Sequence, residues 1–350
     1  MEKVLTIVIP AYNSQSFLNK VLDSLLNEQT AQGLEVIVVD DGSTDGTAEL
    51  CREYCKNWPD TVSLISQPNK GHGGALNTGI AAARGKYVKV IDSDDWVETE
   101  NLPLFMSKLQ KFSCDVVLTH FSSININDHA VTLWKSYPES FDRAYTLDEI
   151  VENWGAFNQV TAFHGITYRT DFYRRMGLQL SEHVFYEDQE YSIIPFCCAE
   201  TVMPMDLLIY NYRTGDSGQS MSEENQKKNL SHFQTILSRL FQEYRRLPLA
   251  EDAPGRNYYC MMVKSLLVSY LIAVMLIGPR RRDGRHRGAE IMQAVQKEMP
   301  EVYSRAKAPY WALRVMSVLG ISKSSCDALI NSHFYNRLCH RYGLKIIENK

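Results

Sequence analysis

The stretch Tyr87-Val88-Lys89-Val90-Ile91-Asp92-Ser93-Asp94-Asp95 passes from an apolar run into three carboxylates within four residues. Upstream, Leu34-Glu35-Val36-Ile37-Val38-Val39 ends in the same way at Asp40-Asp41-Gly42-Ser43. Short runs rich in β-branched residues are typical of parallel strands buried on both faces, and ligands of open α/β sheets bind beyond the carboxyl ends of such strands. We therefore expect an α/β fold in which both acidic clusters border one crevice.

The acidic clusters also have a plainer interpretation, because Asp, Gly and Ser are ordinary turn residues. One such cluster could simply end a strand. Two clusters are harder to explain in this way, since carboxylates held close together repel and raise each other's pKa. A cation or hydrogen-bond donors would compensate this repulsion, so the pattern favours a site for a metal and a diphosphate.

Length and charge suggest two regions. The chain has 350 residues, of which 45% are hydrophobic, so it can bury a sizeable core. Its 37 Lys and Arg against 41 Asp and Glu give a net charge of −4, yet residues 251–350 hold 16 basic against 8 acidic residues. We expect a ligand-binding and catalytic domain at 1–215 and a helical region at 216–350 that contacts a second substrate, a membrane surface or a second copy. We expect no nucleic-acid partner.

The eight cysteines form no CxxC pair, which predicts reduced thiols in a cytoplasmic protein. Cys51 and Cys55 share a predicted helix, but no neighbouring His or second Cys pair completes a zinc site. The N-terminus enters a strand without a secretory apolar core. These observations predict a cytoplasmic location.

No apolar run reaches the roughly 18 to 20 residues that span a bilayer. The nearest, 266–278, is followed by five arginines between 280 and 287. The plain interpretation is a buried helix followed by a solvated basic turn. The alternative is contact with an anionic membrane surface, which would place the protein on the inner face of the plasma membrane.

Strand and helix patterns alternate up to about residue 115, which predicts parallel strands joined by right-handed crossovers. The predicted strands are 4–9, 34–40, 62–66 and 87–91, and the predicted helices are 14–26, 47–54 and 75–83, the last rich in small residues that permit close packing on the sheet. Further strands are predicted at 116–121, 161–168 and 207–212, and further helices at 230–244, 258–277, 288–297 and 310–319.

Six short motifs follow one another along residues 4–215. In chain order they are Val8-Ile9-Pro10-Ala11-Tyr12-Asn13, Val39-Asp40-Asp41-Gly42-Ser43-Thr44-Asp45, Asn69-Lys70-Gly71 with Gly74-Ala75-Leu76-Asn77-Thr78-Gly79, Ala83-Arg84-Gly85-Lys86-Tyr87, Asp92-Ser93-Asp94-Asp95 and Tyr186-Glu187-Asp188. Each motif is weak alone, but together they resemble the family 2 glycosyltransferases of the GT-A fold. The resemblance implies a Rossmann-like, mostly parallel sheet flanked by helices, with a C-terminal helical extension, and inverting transfer from a nucleotide diphosphate sugar.

The resemblance also implies roles for individual residues. Asp94 would ligate the metal, with Asp92 as second ligand nearer the ribose and Asp95 as a substitute; Mn²⁺ or Mg²⁺ is expected, since both prefer carboxylate oxygens. Asp41 would accept from the imide of a uracil, which favours UDP or dTDP over CDP. The remaining residues expected to bind the nucleotide sugar are Pro10, Ala11, Tyr12, Asn13, Lys70, Gly71, Asn77, Ser93 and Arg213, with the segment 71–74 as a loop approaching the nucleoside.

Asp188 is the predicted catalytic base, because inverting transfer needs a group that takes the proton of the acceptor hydroxyl. Alternatively, Glu187 and Asp188 only open a helix, where acids favour the dipole. Arg213 could bind the diphosphate, and the polar segment 214–226 suits either a lid or a plain linker. His164 could touch the acceptor or phosphate, or be a structural residue.

Other functions fit less well. A sugar nucleotidyltransferase needs a glycine-rich, basic loop where Pro10-Ala11-Tyr12-Asn13 stands, and a Rossmann dehydrogenase needs GxGxxG there. A degenerate nucleotide-sugar-binding or scaffold protein would be expected to have lost a site acid. We therefore expect a hexosyl- or N-acetylhexosaminyl-transferase that uses a UDP-sugar and a glycan or lipid-linked acceptor in surface polysaccharide synthesis. A homodimer is a further expected assembly.

Overall fold

The computed structural model describes residues 2–216, 229–247, 249–278 and 280–323. Most of the predicted lid, 214–226, lies outside these residues, as do Cys326 and Cys339. The described chain divides into two compact units, the first formed by residues up to 216 together with 238–259, and the second by 229–237 and residues from 260 onward.

The first unit contains a single sheet among the described residues. Its strands are β1 Leu5–Ala11, β2 Leu34–Asp40, β3 Val62–Ser66, β4 Tyr87–Val90, β5 Trp96–Val97, β6 Val116–Asn125, β7 Val131–Trp134, β8 Ile166–Arg169 and β9 Val202–Thr214. They lie in the order β3-β2-β1-β4-β8-β6-β9-β5, with β7 paired to β6. The predicted parallel half, β3 to β4, is present, and β6 also runs parallel to β9. The strands β5, β7 and β8 pair antiparallel.

Helices cover the sheet. They are α1 Gln15–Leu25, α2 Thr47–Asn57, α3 Gly71–Ala82, α4 Leu102–Lys111, α5 Leu147–Glu152, α6 Trp154–Phe157, α7 Thr170–Arg175 and α8 Asp188–Ile193. Every residue of β1 and β2 is buried. Helix α3 packs closely on β1, as its small residues predict: a Cβ at Gly79 would meet Val8 Cγ1 at 2.3 Å. The predicted α/β architecture is therefore confirmed.

Four long helices follow: α9 Leu230–Arg246, α10 Pro254–Ile272, α11 Arg281–Glu298 and α12 Pro300–Val318. The arginines between 281 and 287 lie in the first turns of α11, so the prediction of a basic turn was wrong. The physical reason is close packing, because a Cβ at Gly284 would meet the Val274 carbonyl oxygen at 1.9 Å, and only glycine lets α11 approach so closely. The helical character predicted for this region is confirmed for its described part.

Helix α10 continues through a π-helical stretch, Ala273–Ile277, into one helix of 24 residues. By length and composition alone this helix could cross a membrane, and it is the one such helix among the described residues. The prediction that no run is long enough was wrong, because the apolar helix begins well before residue 266. About half of its most apolar part, 56%, is buried inside the protein, as in many core helices.

Candidate functional site

The loops that follow β1, β2 and β4 are linked by hydrogen bonds at one edge of the sheet. Asn13 accepts from the Thr44 amide (2.8 Å) through its side chain and donates its own amide to Ser43 Oγ (2.9 Å). Ser14 Oγ lies 2.7 Å from Ser93 Oγ. Asn13 has a φ of 50°, an unusual conformation for a residue other than glycine. The structure thus brings both acidic clusters to the same edge.

Asp41 is buried and held in one orientation. Its Oδ1 accepts from Gln67 Nε2 (2.7 Å) and from the Lys70 amide (2.9 Å). Gln67 in turn accepts from the Thr78 hydroxyl at 2.6 Å. Both bonds to Asp41 go to the same oxygen, so Oδ2 is the atom that can accept from a ligand. The sequence analysis missed Gln67, although its position directly after β3 is a signal.

His72, in the first turn of α3, bridges two acids and was also missed. Its Nε2 lies 2.9 Å from Asp92 Oδ1, and its Nδ1 lies 2.5 Å from Glu187 Oε1. Burial would lower the pKa of His72, but the two carboxylates hold that pKa well above its usual value. Burial would likewise raise the pKa of Asp92, and the charge of His72 lowers it. His72 therefore ties Asp92 to the Glu187-Asp188 motif.

Asp94 and Asp95 lie beside Arg213. Asp95 is fully buried and accepts from the Tyr210 hydroxyl (2.5 Å) and the Arg213 amide (2.7 Å). The Arg213 guanidinium lies 3.8 Å from Asp94 Oδ2. Burial and the charge of Asp92 raise the pKa of Asp94, and burial with both neighbouring acids raises the pKa of Asp95 well above its usual value. The cluster holds more negative charge than its partners balance.

The acids and an imidazole form a possible metal site. The ligand atoms of Asp92, Asp95 and His164 lie within 4.8 Å of one another, whereas the predicted ligand Asp94 lies outside this group. Burial lowers the pKa of His164 to about 4, so its ring is neutral and able to ligate. Carboxylates with one imidazole suit Mn²⁺ or Mg²⁺, and the unbalanced negative charge is what a divalent cation would neutralise.

Asp188 is the first residue of α8 and is partly buried. Burial, followed by the charge of Glu187, raises its pKa to about 6, and Gln189 Nε2 donates to its carboxylate at 3.0 Å. The preceding loop contains two non-glycine residues with positive φ, His183 (55°) and Tyr186 (73°). Such strained backbone is often concentrated at functional sites. Asp188 thus opens a helix and also has the raised pKa of a base.

The segment 71–74 was predicted to be a loop, but it forms the first turn of α3. A Cβ at Gly73 would meet the Ser181 carbonyl oxygen at 2.2 Å. Asn77 donates to the Leu180 carbonyl (2.9 Å) and accepts from the Leu180 amide (2.8 Å). Gly73 and Asn77 thus hold the segment 180–183, which leads into α8. The absence of a side chain at Gly73 and the amide of Asn77 are therefore explained by contacts within the protein, without a nucleotide.

The other predicted residues line the rim of the same edge. Pro10 and Ala11 end β1 and are buried, whereas Tyr12 is 53% exposed and Lys70 is exposed. Gly71 precedes His72 with a φ of 75°. The described cysteines are free thiols, and Cys51 and Cys55 belong to none of the metal-binding clusters found among the described residues.

Comparison with known proteins adds two sequence findings. The family model "Glycosyl transferase family 2" matches residues 6–174. Glycosyltransferase GlyA of Streptococcus pneumoniae is 27% identical over 214 residues, covering 60% of this chain and 30% of GlyA. Chondroitin synthase of Escherichia coli is 42% identical over 108 residues, covering 31% of this chain and 16% of the synthase. The chain spans less than two thirds of each of these relatives.

A solved structure has a similar fold. The 1–349 fragment of TarS from S. aureus, in complex with UDP-GlcNAc, superposes with a TM-score of 0.57 and 18% identity. The match covers 91% of this chain and 92% of that fragment. This likeness concerns the fold, which is that of the GT-A group.

Proposed function

We propose that this protein is an inverting, metal-dependent family 2 glycosyltransferase, and the family model that matches residues 6–174 supports this proposal. It moves a sugar from a nucleotide diphosphate sugar, preferably a UDP-sugar, to a hydroxyl of a glycan or lipid-linked acceptor in surface polysaccharide synthesis. The observation that carries this proposal is the joining of Asp92 to the Glu187-Asp188 motif through His72. It connects an acid suited to a metal and diphosphate with Glu187, the residue directly before the proposed base Asp188.

The donor half rests on Asp41. Its Oδ2 would accept from the imide N–H of uracil or thymine, whereas cytosine presents an acceptor at that edge and would be disfavoured. The exposed Tyr12 and Lys70 and the rim formed by Asn13 would contact the nucleoside and phosphates. The bound UDP-GlcNAc of TarS supports the same donor class for a protein of this fold.

The metal half rests on the acids after β4. Asp92 and Asp94, or Asp92 with Asp95 and His164, would hold Mn²⁺ or Mg²⁺. The ion would stabilise the negative charge that develops on the departing diphosphate. Arg213, which lies beside Asp94, would add a guanidinium to the same phosphates.

The acceptor half rests on Asp188. Its raised pKa, about 6, suits a base that is ionised at neutral pH and still takes a proton readily. Removal of the acceptor proton by Asp188 would let the hydroxyl attack opposite the leaving diphosphate, and a single displacement of this kind inverts the anomeric carbon. The sugar is a hexose or N-acetylhexosamine, and the chondroitin synthase relative supports a polysaccharide product.

A cytoplasmic location at an anionic membrane surface completes the proposal. In the second unit, α12 exposes Trp311, Val315 and Val318 on one face, with Arg314 packed over the Trp311 ring. Apolar residues with Trp beside basic residues are typical of helices that lie in a membrane interface. The homodimer remains a prediction, and sedimentation velocity would test it by measuring the association state of the protein.

Calorimetric titration with UDP, dTDP, GDP and CDP, each with and without Mn²⁺, tests the donor half. We expect metal-dependent binding selective for UDP or dTDP. If no nucleotide binds, the proposal is wrong and a scaffold function replaces it. Binding of a nucleoside triphosphate in preference to UDP would favour a sugar nucleotidyltransferase instead.

The Asp94→Asn variant tests the metal half in the same titration. Removing the carboxylate charge should abolish most of the Mn²⁺-dependent gain in UDP affinity. Asp60→Asn is the matched control, because Asp60 is an exposed acid just before β3, at the opposite edge of the sheet. An unchanged Mn²⁺ dependence in Asp94→Asn, together with its loss in His164→Ala, would assign the ion to the group of Asp92, Asp95 and His164.

A further inference from the structure

The hairpin of β6 and β7 exposes an unusual amount of apolar surface. Of the twelve large apolar side chains that are exposed in the described chain, five lie in the segment 126–137. They are Ile126, Val131, Leu133, Trp134 and Tyr137. Single exposed apolar residues are normal, but a concentration of this kind marks an interaction site.

Trp134 is connected to the acid cluster by a row of rings. Its indole stacks on Phe121, with an interplanar angle of 14° and 5.8 Å between centroids. The Phe121 ring lies 5.1 Å from the ring of His164, which shares its cluster with Asp92 and Asp95. Phe121 is 5% exposed and Trp134 37%, so the row runs from the buried acids to an exposed ring.

The hairpin is also fixed to the strand that supports the site. The Ile126 amide donates to the Thr214 carbonyl (2.9 Å), and Asn127 Nδ2 donates to the Gly215 carbonyl (2.7 Å). The indole itself is oriented, since Trp134 Nε1 donates to Ser123 Oγ at 3.2 Å. Trp134 is therefore held in place by its stacking on Phe121 and its hydrogen bond to Ser123.

We propose that Trp134 forms an outer acceptor subsite, on which a pyranose ring of the acceptor glycan stacks. A sugar ring has apolar C–H faces and polar edges, and an indole offers a broad apolar face beside a wet surface. In this arrangement the reacting hydroxyl of the acceptor lies at the acids, and two ring contacts, Trp134 to Phe121 and Phe121 to His164, separate it from the indole. The sugar that stacks on Trp134 is therefore the one next to the reacting sugar. This inference rests on the proposed function and adds that the acceptor has at least two sugars.

The direct test is ¹⁹F NMR of the protein labelled with 5-fluorotryptophan, saturated with UDP and Mg²⁺, which unlike Mn²⁺ is not paramagnetic and does not broaden nearby signals. The Trp134→Phe variant identifies the Trp134 signal. The probes are lactose, cellobiose, chitobiose and mannobiose, each beside its constituent monosaccharides. We expect at least one disaccharide to shift the Trp134 signal while its monosaccharides leave the signal in place.

The outcome separates the two proposals. If UDP binds normally and no disaccharide moves the Trp134 signal, the subsite is wrong and the donor chemistry stands. If UDP does not bind in the calorimeter, the proposed function fails and the subsite fails with it. A shift caused equally by monosaccharides would also overturn the assignment of Trp134 to the second sugar.

Kinetics with the disaccharide that shifts the signal give a second test. Trp134→Ala should raise the acceptor KM about tenfold, while slow hydrolysis of the UDP-sugar stays unchanged. Trp134→Phe should recover most of the loss. Leu133→Ala is the matched control, because Leu133 lies on the same strand with its side chain on the opposite face and is also exposed.

The control decides between binding and structure. An equal rise in KM for Leu133→Ala would show that the hairpin fold, not the indole, matters, and would contradict the proposal. A change of association state in Trp134→Ala with an unchanged acceptor KM would identify the hairpin as an interface between copies, and this too would overturn it.

Discussion

Charge balance governs the site at the scale of single residues. Burial places Asp94, Asp95 and Asp188 where their charged forms are disfavoured, and the pKa of each is raised. His72 offsets part of this cost by pairing with Asp92 and Glu187. The pKa of Asp92 is lowered while those of Asp94, Asp95 and Asp188 are raised, and such divergent pKa shifts of neighbouring acids are typical of functional sites.

Replacement of Asp188, the proposed base, should stop chemistry without stopping donor binding. For Asp188→Asn we expect kcat to fall by on the order of 10²- to 10⁴-fold with the UDP affinity unchanged, because the amide cannot take the acceptor proton. In the parent protein, activity should rise as the pH increases through about 6, where Asp188 ionises. Steady-state kinetics from pH 5 to pH 8 and calorimetry measure both effects.

Gln189→Ala is the matched variant for this pH dependence. Gln189 donates to the Asp188 carboxylate and so lowers its pKa. Without this bond the pKa of Asp188 should rise, and the acid limb of the pH profile should move to higher pH. A limb that stays in place, or a loss of UDP affinity in Asp188→Asn, would make Asp188 a structural residue.

Lys89 is a fully buried amine that donates to the His164 carbonyl (2.7 Å) and the Ile166 carbonyl (3.2 Å). Burial lowers its pKa from 10.5 to about 7. Between these two values the unfolded chain binds the proton and the folded chain does not, so Lys89 makes the free energy of unfolding rise with pH in this window. In Lys89→Met this rise should disappear, as measured by urea unfolding at pH 7 and pH 9.

Lys56→Met, which changes an exposed lysine of α2, should retain the pH dependence of the parent protein. The same pH dependence in Lys89→Met and in the parent would mean that Lys89 stays charged in the folded chain throughout this range. That result would contradict a pKa of about 7 for Lys89.

At the scale of elements, the first turn of α3 packs against the segment 180–183, which precedes the proposed base Asp188. Gly73→Ala would place a Cβ 2.2 Å from the Ser181 carbonyl oxygen, so the segment 181–183 must shift. We expect a loss of about 1–3 kcal/mol in the free energy of unfolding. We also expect a lower kcat, because α8 follows this segment. Urea unfolding and steady-state kinetics measure the two effects.

Gly155→Ala, in α6, is the control because nothing lies within 4 Å of the added Cβ. Its stability should change by less than about 1 kcal/mol, in the stabilising direction, since alanine favours a helix. If Gly73→Ala had an equally small effect on stability, packing against 181–183 would not explain the glycines of α3. Close approach to the nucleotide would then be the remaining explanation for these glycines.

At the scale of the whole molecule, the exposed apolar face of α12 in the second unit allows a test of the proposed contact with a membrane surface. Changing Trp311, Val315 and Val318 together to serine should weaken binding to vesicles of phosphatidylglycerol and phosphatidylcholine by at least about tenfold, because their apolar area no longer enters the interface. Co-sedimentation with the vesicles measures the binding. High salt should weaken it further, since the arginines contribute by charge.

Leu104→Ser is the control, because Leu104 is 50% exposed on α4 of the first unit. Its vesicle binding should equal that of the parent protein. If the triple variant binds vesicles as well as the parent, α12 does not face a membrane, and the exposed stripe on this helix serves another contact.

Local pattern sufficed to predict the strands β1 to β4 and the alternation with α1 to α3. The strands β1, β2 and β4 are short runs of residues buried on both faces, β3 is the partly exposed strand at one end of the sheet, and all four end where acids or turn residues begin. The position of Asp41 and Asp92 at the same edge of the sheet was also predictable, because β2 and β4 run parallel on either side of β1 and parallel strands end at one edge. These inferences need only neighbouring residues and the geometry of a parallel sheet.

His72 could not be predicted in its role, because Asp92 and Glu187 reach it from distant parts of the chain. The glycines of α3 gave a misleading signal, since a glycine-rich segment can equally be a loop or a tightly packed helix. The start of α11 was missed for the same reason, as Gly284 is a helix breaker until Val274 packs against it. Long-range packing decided each case.

The sequence by itself determined the α/β architecture, the acids and their common edge, because strand periodicity and turn chemistry act between near neighbours. Only the tertiary structure decided which groups pair at the site. His72 pairs with Asp92 and Glu187, Arg213 lies beside Asp94, and Tyr210 donates a hydrogen bond to Asp95. It also connected Trp134 to the acids through Phe121 and His164. Electrostatic and stacking interactions act over a few ångströms, and only folding brings residues far apart in the chain to that distance.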